Sequence, residues 1–299
     1  MRRVLVSLAF CFSLVATLLM VDTSSSRAAE RSEVTYKYGS HARQRLDAYW
    51  NASSSLQPGI VILHGGYWYE DASWATKSRA FADAGYATFS VDYRLNFDAQ
   101  WPAQRSDALA ALSWVRDNAA KFNLDPDRVV VLGSSAGGQI ATAVATYGSG
   151  GNTVKGVVGL SPVASPYRAW NDGNHETSTF QERKVRDNAT VLARCYPDPA
   201  DTDTSMHASC WDTWKDMVVK NRASGANDAP MYLIHSQDDF VPVTHSTDLE
   251  KAEEVDQGMP TNGVTVETVP GAAHGGSLLD EPGMMNKVLA WIDARVDAA

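Results

Sequence analysis

Val129-Val130-Val131-Leu132-Gly133-Ser134-Ser135-Ala136-Gly137-Gly138 is the stretch that decides the architecture. Four consecutive apolar residues, three of them β-branched, predict a strand buried on both faces. The chain then turns through Gly133-Ser134-Ser135-Ala136-Gly137 and enters a run of small residues, 138–147, that reads as a helix. A Gly-x-Ser-x-Gly turn between a buried strand and a helix holds its central serine in a strained conformation and lifts the hydroxyl above the sheet. A Cβ at either flanking glycine would collide with the neighbouring strand or helix. The helix N-terminus then points at Ser135, where its partial positive charge favours an anion forming on a bound group.

A serine presented this way needs a base, and the base needs a group to orient it. Downstream, Ala272-Ala273-His274-Gly275-Gly276 places a histidine in a glycine-rich loop after an alternating strand, 264–269. Between serine and histidine, Tyr232-Leu233-Ile234-His235-Ser236-Gln237-Asp238-Asp239-Phe240-Val241-Pro242 is an apolar strand that ends in acids. The chemistry-bearing residues therefore run in the order Ser, Asp, His. Upstream, the buried strand 60–63 leads into His64-Gly65-Gly66-Tyr67-Trp68.

The remaining chain fits around these pieces. Segments 34–38 and 45–50 alternate like an edge hairpin, and 60–63, 87–91, 129–132, 154–160, 231–235 and 264–269 are short apolar strands. Helical patterns over 74–84, 101–122, 138–147, 244–255 and 282–296 lie between them. This alternation predicts an α/β fold: a mostly parallel central sheet with helices on both faces. Residues 162–227 break the rhythm with a long polar and aromatic stretch, which predicts a helical insertion overhanging the serine as a partial cap.

The first 28 residues, with Met1-Arg2-Arg3, an apolar run over 4–21 and Ser26-Arg27-Ala28, read as a signal peptide cut after Ala28; the alternative is an uncleaved membrane anchor, since the apolar run approaches spanning length. Residues 29–299 then form one catalytic domain in a secreted or periplasmic protein. The net charge of −9 becomes −11 once Arg2, Arg3, Arg27 and Asp22 leave with the leader. No basic stripe is present, which argues against nucleic acid or anionic lipid as partner. Removal of the leader also takes Cys11, leaving Cys195 and Cys210, fifteen residues apart, as one disulfide. The histidines lack metal-ligand spacing, with His41, His175, His207 and His245 in polar surroundings, so neither metal nor cofactor is expected.

Leu63-His64-Gly65-Gly66-Tyr67-Trp68, Val91-Asp92-Tyr93-Arg94-Leu95, Asp125-Pro126-Asp127-Arg128-Val129 and Gly133-Ser134-Ser135-Ala136-Gly137-Gly138 together resemble an α/β-hydrolase fold serine esterase. The likeness is to the hormone-sensitive-lipase-like and acetyl xylan–feruloyl (BD-FAE-like) esterases, and it covers the chain from about Leu46 onward, without the insertion. It is specific for fold and triad and says little about substrate. The resemblance implies Ser135 as nucleophile and His274 as base. Its Asp-x-x-Val-Pro pattern falls on Asp238, with Asp239 as the rival one residue on. Backbone N–H groups of Gly66, Tyr67 and Ala136 are the expected oxyanion hole. Tyr67 departs from relatives that carry a third glycine after His-Gly-Gly; its amide survives, and its phenol would fill space beside the acyl pocket. His64 is expected to order that loop, and Asp92 and Arg94 to form a structural ion pair or a loop brace. Trp68, Ser134 and Trp170 are candidate substrate contacts.

The activity implied is hydrolysis of short-chain acyl, acetyl or aryl esters through an acyl-enzyme, with a small ester or acylated polysaccharide as substrate. Two other readings use the same residues. An arylformamidase would keep the triad and change the bond, since kynurenine formamidases share the His-Gly-Gly-x-Trp pattern. A catalytically inactive binding module would use the fold alone.

Overall fold

The computed structural model describes residues 31–197 and 205–298; the leader expected over 1–28 lies outside them. Eight strands form one sheet: β1 (Arg31–Lys37), β2 (Arg45–Asn51), β3 (Gln57–Leu63), β4 (Ala87–Val91), β5 (Leu124–Ser134), β6 (Gly156–Leu160), β7 (Met231–Ser236) and β8 (Val264–Val269). Their order is β1-β2-β4-β3-β5-β6-β7-β8. The β1–β2 and β2–β4 pairs are antiparallel and the others parallel. The helices are α1 (Ala75–Asp83), α2 (Ala103–Asp117), α3 (Ala136–Ala145), α4 (Gly150–Thr153), α5 (Pro166–Asp172), α6 (Phe180–Ala193), α7 (Ser205–Met217), α8 (Thr244–Glu250) and α9 (Met284–Val296).

All eight expected strands are present. The expected helix over 101–122 is interrupted at Asn118, which caps α2 before a short 3-10 turn. The one over 244–255 changes after Glu250 into a wider π-type turn. Side chains of β3 and β5 alternate between two cores. Val61, Leu63, Val129 and Val131 enter one, and Ile60, Ile62, Val130 and Leu132 enter the other. Full burial of each such side chain contributes about 1.5–3 kcal/mol.

The sheet positions the site through its strand order. After β3 the chain moves outward to β4, then returns across β3 to place β5 on the other side. The loops leaving β3 and β5 therefore diverge and open a crevice at the carboxyl ends of those strands. Ser135 follows β5 directly, and His64-Gly65-Gly66 follows β3.

Between β6 and β7 the chain forms α5, α6 and α7. Helix α6 begins with a capping box, Thr179 with Glu182. Its Lys184 reaches the loop after β3, 2.9 Å from Glu70 and 4.2 Å above the Tyr67 ring. A disulfide joins Cys195, just beyond α6, to Cys210 within α7.

The turn that leads into β7 is tied down by a buried carboxyl pair. Asp228 accepts from Ser224, and Glu253 accepts from the Gly225 amide at 3.1 Å. Glu253 is fully buried, and its Oε1 has no donor among the described residues. Burial and the neighbouring Asp228 push its carboxyl up to about 8 from 4.5. Protonated Glu253 gives Asp228 a donor. Because the folded value is the higher one, stability is fully present below pH 4.5 and is lost as pH rises to about 8. Glu253→Gln keeps the hydrogen bond without the proton. The variant is expected to gain about 1–3 kcal/mol over wild type at pH 8 and nothing at pH 4.5, measured by denaturant unfolding. Parallel pH profiles for the two proteins would contradict the pairing.

Candidate active site

The turn after β5 is strained as its sequence requires. Ser135 has φ 54° and ψ −116°, a left-handed conformation in which a side chain costs energy. Its amide donates to the Leu160 carbonyl at 2.8 Å, and its carbonyl accepts from Gln139 and Val163. A Cβ on Gly133 would stand 2.2 Å from the Gly137 carbonyl oxygen, and one on Gly137 2.2 Å from that of Leu63. Both glycines are therefore needed for the helix to sit this close to the sheet. Every residue of α3 is buried. Its first amide, that of Ala136, has no intrahelical acceptor and faces the same end as the Ser135 side chain.

The loop after β3 abuts this turn. A Cβ on Gly65 would lie 3.1 Å from the Ser135 Cβ, and one on Gly66 (φ 106°) would lie 2.0 Å from the Glu70 carbonyl oxygen. Tyr67 and Trp68 also adopt positive φ, 57° and 55°. The loop doubles back on itself, with the Tyr69 and Glu70 amides donating to the Gly66 carbonyl. The Gly66 and Tyr67 amides donate to no backbone carbonyl among the described residues. His64 holds the loop from below. Its Nδ1 lies 2.6 Å from the Gly65 carbonyl and its ring stacks on Tyr93 at 4.3 Å. Burial lowers the His64 pKa, so the ring is neutral and structural.

The carboxylate bonded to the histidine lies one residue beyond the position expected for the acid. Asp239 Oδ1, not a carboxylate oxygen of Asp238, lies 2.8 Å from His274 Nδ1. The Asp239 side chain is fully buried. It also accepts from the Val241 amide at 3.0 Å and from the Ser161 hydroxyl. Asp238 is exposed, and its amide straps the turn to the Gly271 carbonyl. The physical reason is where β7 stops. The strand ends at Ser236, and Gln237 and Asp238 form the exposed turn, so the next side chain is the one directed back toward His274. Asp239 also forms an Asx turn onto Val241, just before Pro242. That local bond is the sequence signal that favours Asp239.

The histidine loop is fixed by hydroxyls at the ends of three adjacent parallel strands, a support the sequence reading missed. Ser134 Oγ accepts from the Gly276 amide and Ser161 Oγ from the Gly275 amide, each at 3.0 Å. Ser236 Oγ donates to the Ala273 carbonyl. A Cβ on Gly275 (φ 58°) would sit 2.4 Å from Ser134 Oγ and 3.9 Å from the Ser135 Cβ. The residue after His274 is thus packed directly on the serine turn. Phe240 covers the imidazole with ring centroids 4.1 Å apart, and Tyr67 stacks beyond it at 6.3 Å.

Ser135 and His274 line one cleft of about 360 Å³, with Gly65, Gly66 and Tyr67 on one side and Trp74, Thr76 and Lys77 opposite. Ser134 is on this wall, although its hydroxyl is committed to the histidine loop. Trp68 is not a substrate contact. It is fully buried, and its indole donates to Gln139 at 3.2 Å, pinning the loop to α3. Nor does Trp170 border the cleft; it stacks on Tyr167 within the insertion. Asp92 and Arg94 do not pair with each other. Asp92 binds Arg45, and Arg94 binds the buried Asp107. His245 is buried, not in polar surroundings; its Nδ1 accepts from the Ser165 amide, and burial lowers its pKa to about 3.

Residues 46–162 match the BD-FAE family model. That segment is similar to the BD-FAE family, and the chain has the α/β-hydrolase fold. Carboxylesterase NlhH of Mycobacterium tuberculosis is 42% identical over 91 residues, 29% of this chain and 28% of NlhH. Esterase LipC of the same organism is 25% identical over 262 residues, 81% of this chain and 59% of LipC. The chain therefore spans less than two thirds of those curated relatives in its matched region. The acetyl ester-xyloside bifunctional hydrolase of Caldicellulosiruptor lactoaceticus superposes with a TM-score of 0.67 at 22% identity, covering 90% of this chain and 98% of the other, which shows the shared fold.

Proposed function

We propose that this protein is a secreted serine carboxylesterase acting on short-chain acyl esters, with acetyl groups on a polysaccharide as the natural substrate class. The observation that carries this reading is the buried Asp239 bonded to His274 Nδ1, with His274 and Ser135 on one cleft. That bond directs Nε2, the other ring nitrogen, to take a proton. Ser135 Oγ attacks the ester carbonyl as its proton passes to His274 Nε2. The tetrahedral oxyanion takes hydrogen bonds from the Ala136, Gly66 and Tyr67 amides, each strong donor contributing about 3–4 kcal/mol. Imidazolium then protonates the leaving alcohol, and water reverses the sequence on the acyl-enzyme.

The cleft of about 360 Å³, walled by Trp74 and Tyr67, has room for a short acyl group. Export is supported by the leader-like N-terminus and is compatible with the Cys195–Cys210 bridge. The polysaccharide reading draws on the named activity of the Caldicellulosiruptor neighbour.

The test is hydrolysis of p-nitrophenyl acetate, butyrate and octanoate, acetylated xylan, methyl ferulate and N-formylkynurenine by the mature protein. Acetate is expected to exceed octanoate in kcat/KM by at least tenfold, with acetate released from the xylan. Turnover of the formamide alone would replace this reading with an amidase. Silence across the panel from folded protein would leave only a binding module.

A further inference from the structure

A second cavity, of about 430 Å³, lies between the insertion and α8 and shares no lining residue with the catalytic cleft. It lies among α5, α7, the turn after α7, and α8. Its floor is aromatic. Tyr167 meets Trp211 edge-on at 5.5 Å and Trp214 at 6.3 Å. Trp214 is fully buried, with its indole donating to the Cys195 carbonyl at 3.1 Å. Trp211 follows Cys210 directly and is half-buried, so the disulfide fixes the backbone beneath a partly open indole. The rim is polar. Arg168 and Lys220 both bind Asp248 Oδ2, at 2.8 and 3.0 Å. The Asn171 side-chain amide has no hydrogen bond to a described residue, and Asn221 uses only its NH₂ group, on the Lys215 carbonyl.

We propose that this cavity binds neutral pyranoside units of a glycan chain, holding a polymeric substrate while its acyl groups visit Ser135. Its use as a substrate anchor rests on the esterase reading above; the binding itself does not. The chemistry selects the ligand class. An aromatic floor takes the C–H face of a sugar ring, while amides and a charged fork take its hydroxyl edge. A simple anion would need an uncommitted cation, yet Arg168 and Lys220 share Asp248 and Lys215 holds Asp212. A fatty chain would leave Asn171 and Asp248 desolvated without new partners. The cavity volume falls within the range of small-molecule sites.

The experiment is calorimetric titration of xylohexaose into the full mature protein carrying Ser135→Ala, alone and with Trp211→Ala or Asn171→Ala added. Binding with Kd of about 1 mM or tighter is expected, weakened about tenfold by Trp211→Ala and less by Asn171→Ala. In the active protein, Trp211→Ala is expected to raise KM for acetylated xylan about tenfold more than KM for p-nitrophenyl acetate. Absence of xylohexaose binding to folded protein, or binding that both substitutions leave unchanged, would overturn the site. Trp211-dependent binding without release of acetate from xylan would keep the site and refute the polysaccharide esterase reading.

Discussion

Asp239→Asn is expected to lower kcat/KM for p-nitrophenyl acetate by about four orders of magnitude, whereas Asp238→Asn changes it by about twofold or less. The two residues are adjacent, but only Asp239 touches the histidine. An asparagine there presents either a neutral oxygen or an NH₂ group to His274 Nδ1. The first weakens stabilisation of imidazolium, and the second forces the wrong tautomer. The other Asp239 contacts raise the cost. The carboxylate accepts from the Val241 amide and the Ser161 hydroxyl, so the variant also loosens the turn that carries Phe240 over the imidazole. Asp238 contributes its backbone amide to the turn, and its exposed side chain meets water. Steady-state kinetics of the two variants decides the assignment, and the reverse ranking would move the acid to Asp238.

Ser135→Ala is expected to reduce kcat by about six orders of magnitude, leaving only what the oxyanion donors and substrate binding supply. The fold is expected to survive. Ser135 occupies a left-handed conformation whose cost arises from its Cβ, which alanine retains. Ser135→Gly removes that Cβ and is expected to be more stable than Ser135→Ala by about 1 kcal/mol while equally inactive. A stability gain coupled to loss of activity would show strain held at the reacting residue. Equal unfolding midpoints for the two variants would place that strain elsewhere.

The sequence made most of this site legible because its constraints are local. Val129-Val130-Val131-Leu132 could only be a strand buried on both faces, and Gly133 and Gly137 are required by contacts within a few residues of Ser135 or with the adjacent β3. His274 stands out because Gly275 and Gly276 follow it, and Gly275 must pass over Ser134. The acid was one residue out because the end of a strand shifts side-chain direction without altering composition. Asp238 and Asp239 are chemically identical, and only the end of β7 at Ser236 separates them. Trp68 and Trp170 failed as substrate contacts for a different reason. An aromatic near a loop motif can pack inward or outward, and what decides is a distant partner: Gln139 for Trp68, Tyr167 for Trp170. The three serines that hold the histidine loop sit 27 and 75 residues apart in sequence, at 134, 161 and 236, and only the sheet brings them together. The same holds for the aromatic cavity, whose walls come from α5, α7 and α8.

Ser135 is expected to become acylated in a reaction driven by His274 and Asp239. The direct measurement is mass spectrometry of the mature protein quenched in acid within its first turnovers of p-nitrophenyl acetate, followed by peptide mapping. One added acetyl group is expected, located on Ser135, present in wild type and absent in Ser135→Ala and His274→Ala. Turnover without a covalent adduct under conditions that trap one in a known serine esterase, or an adduct on another residue, would contradict it.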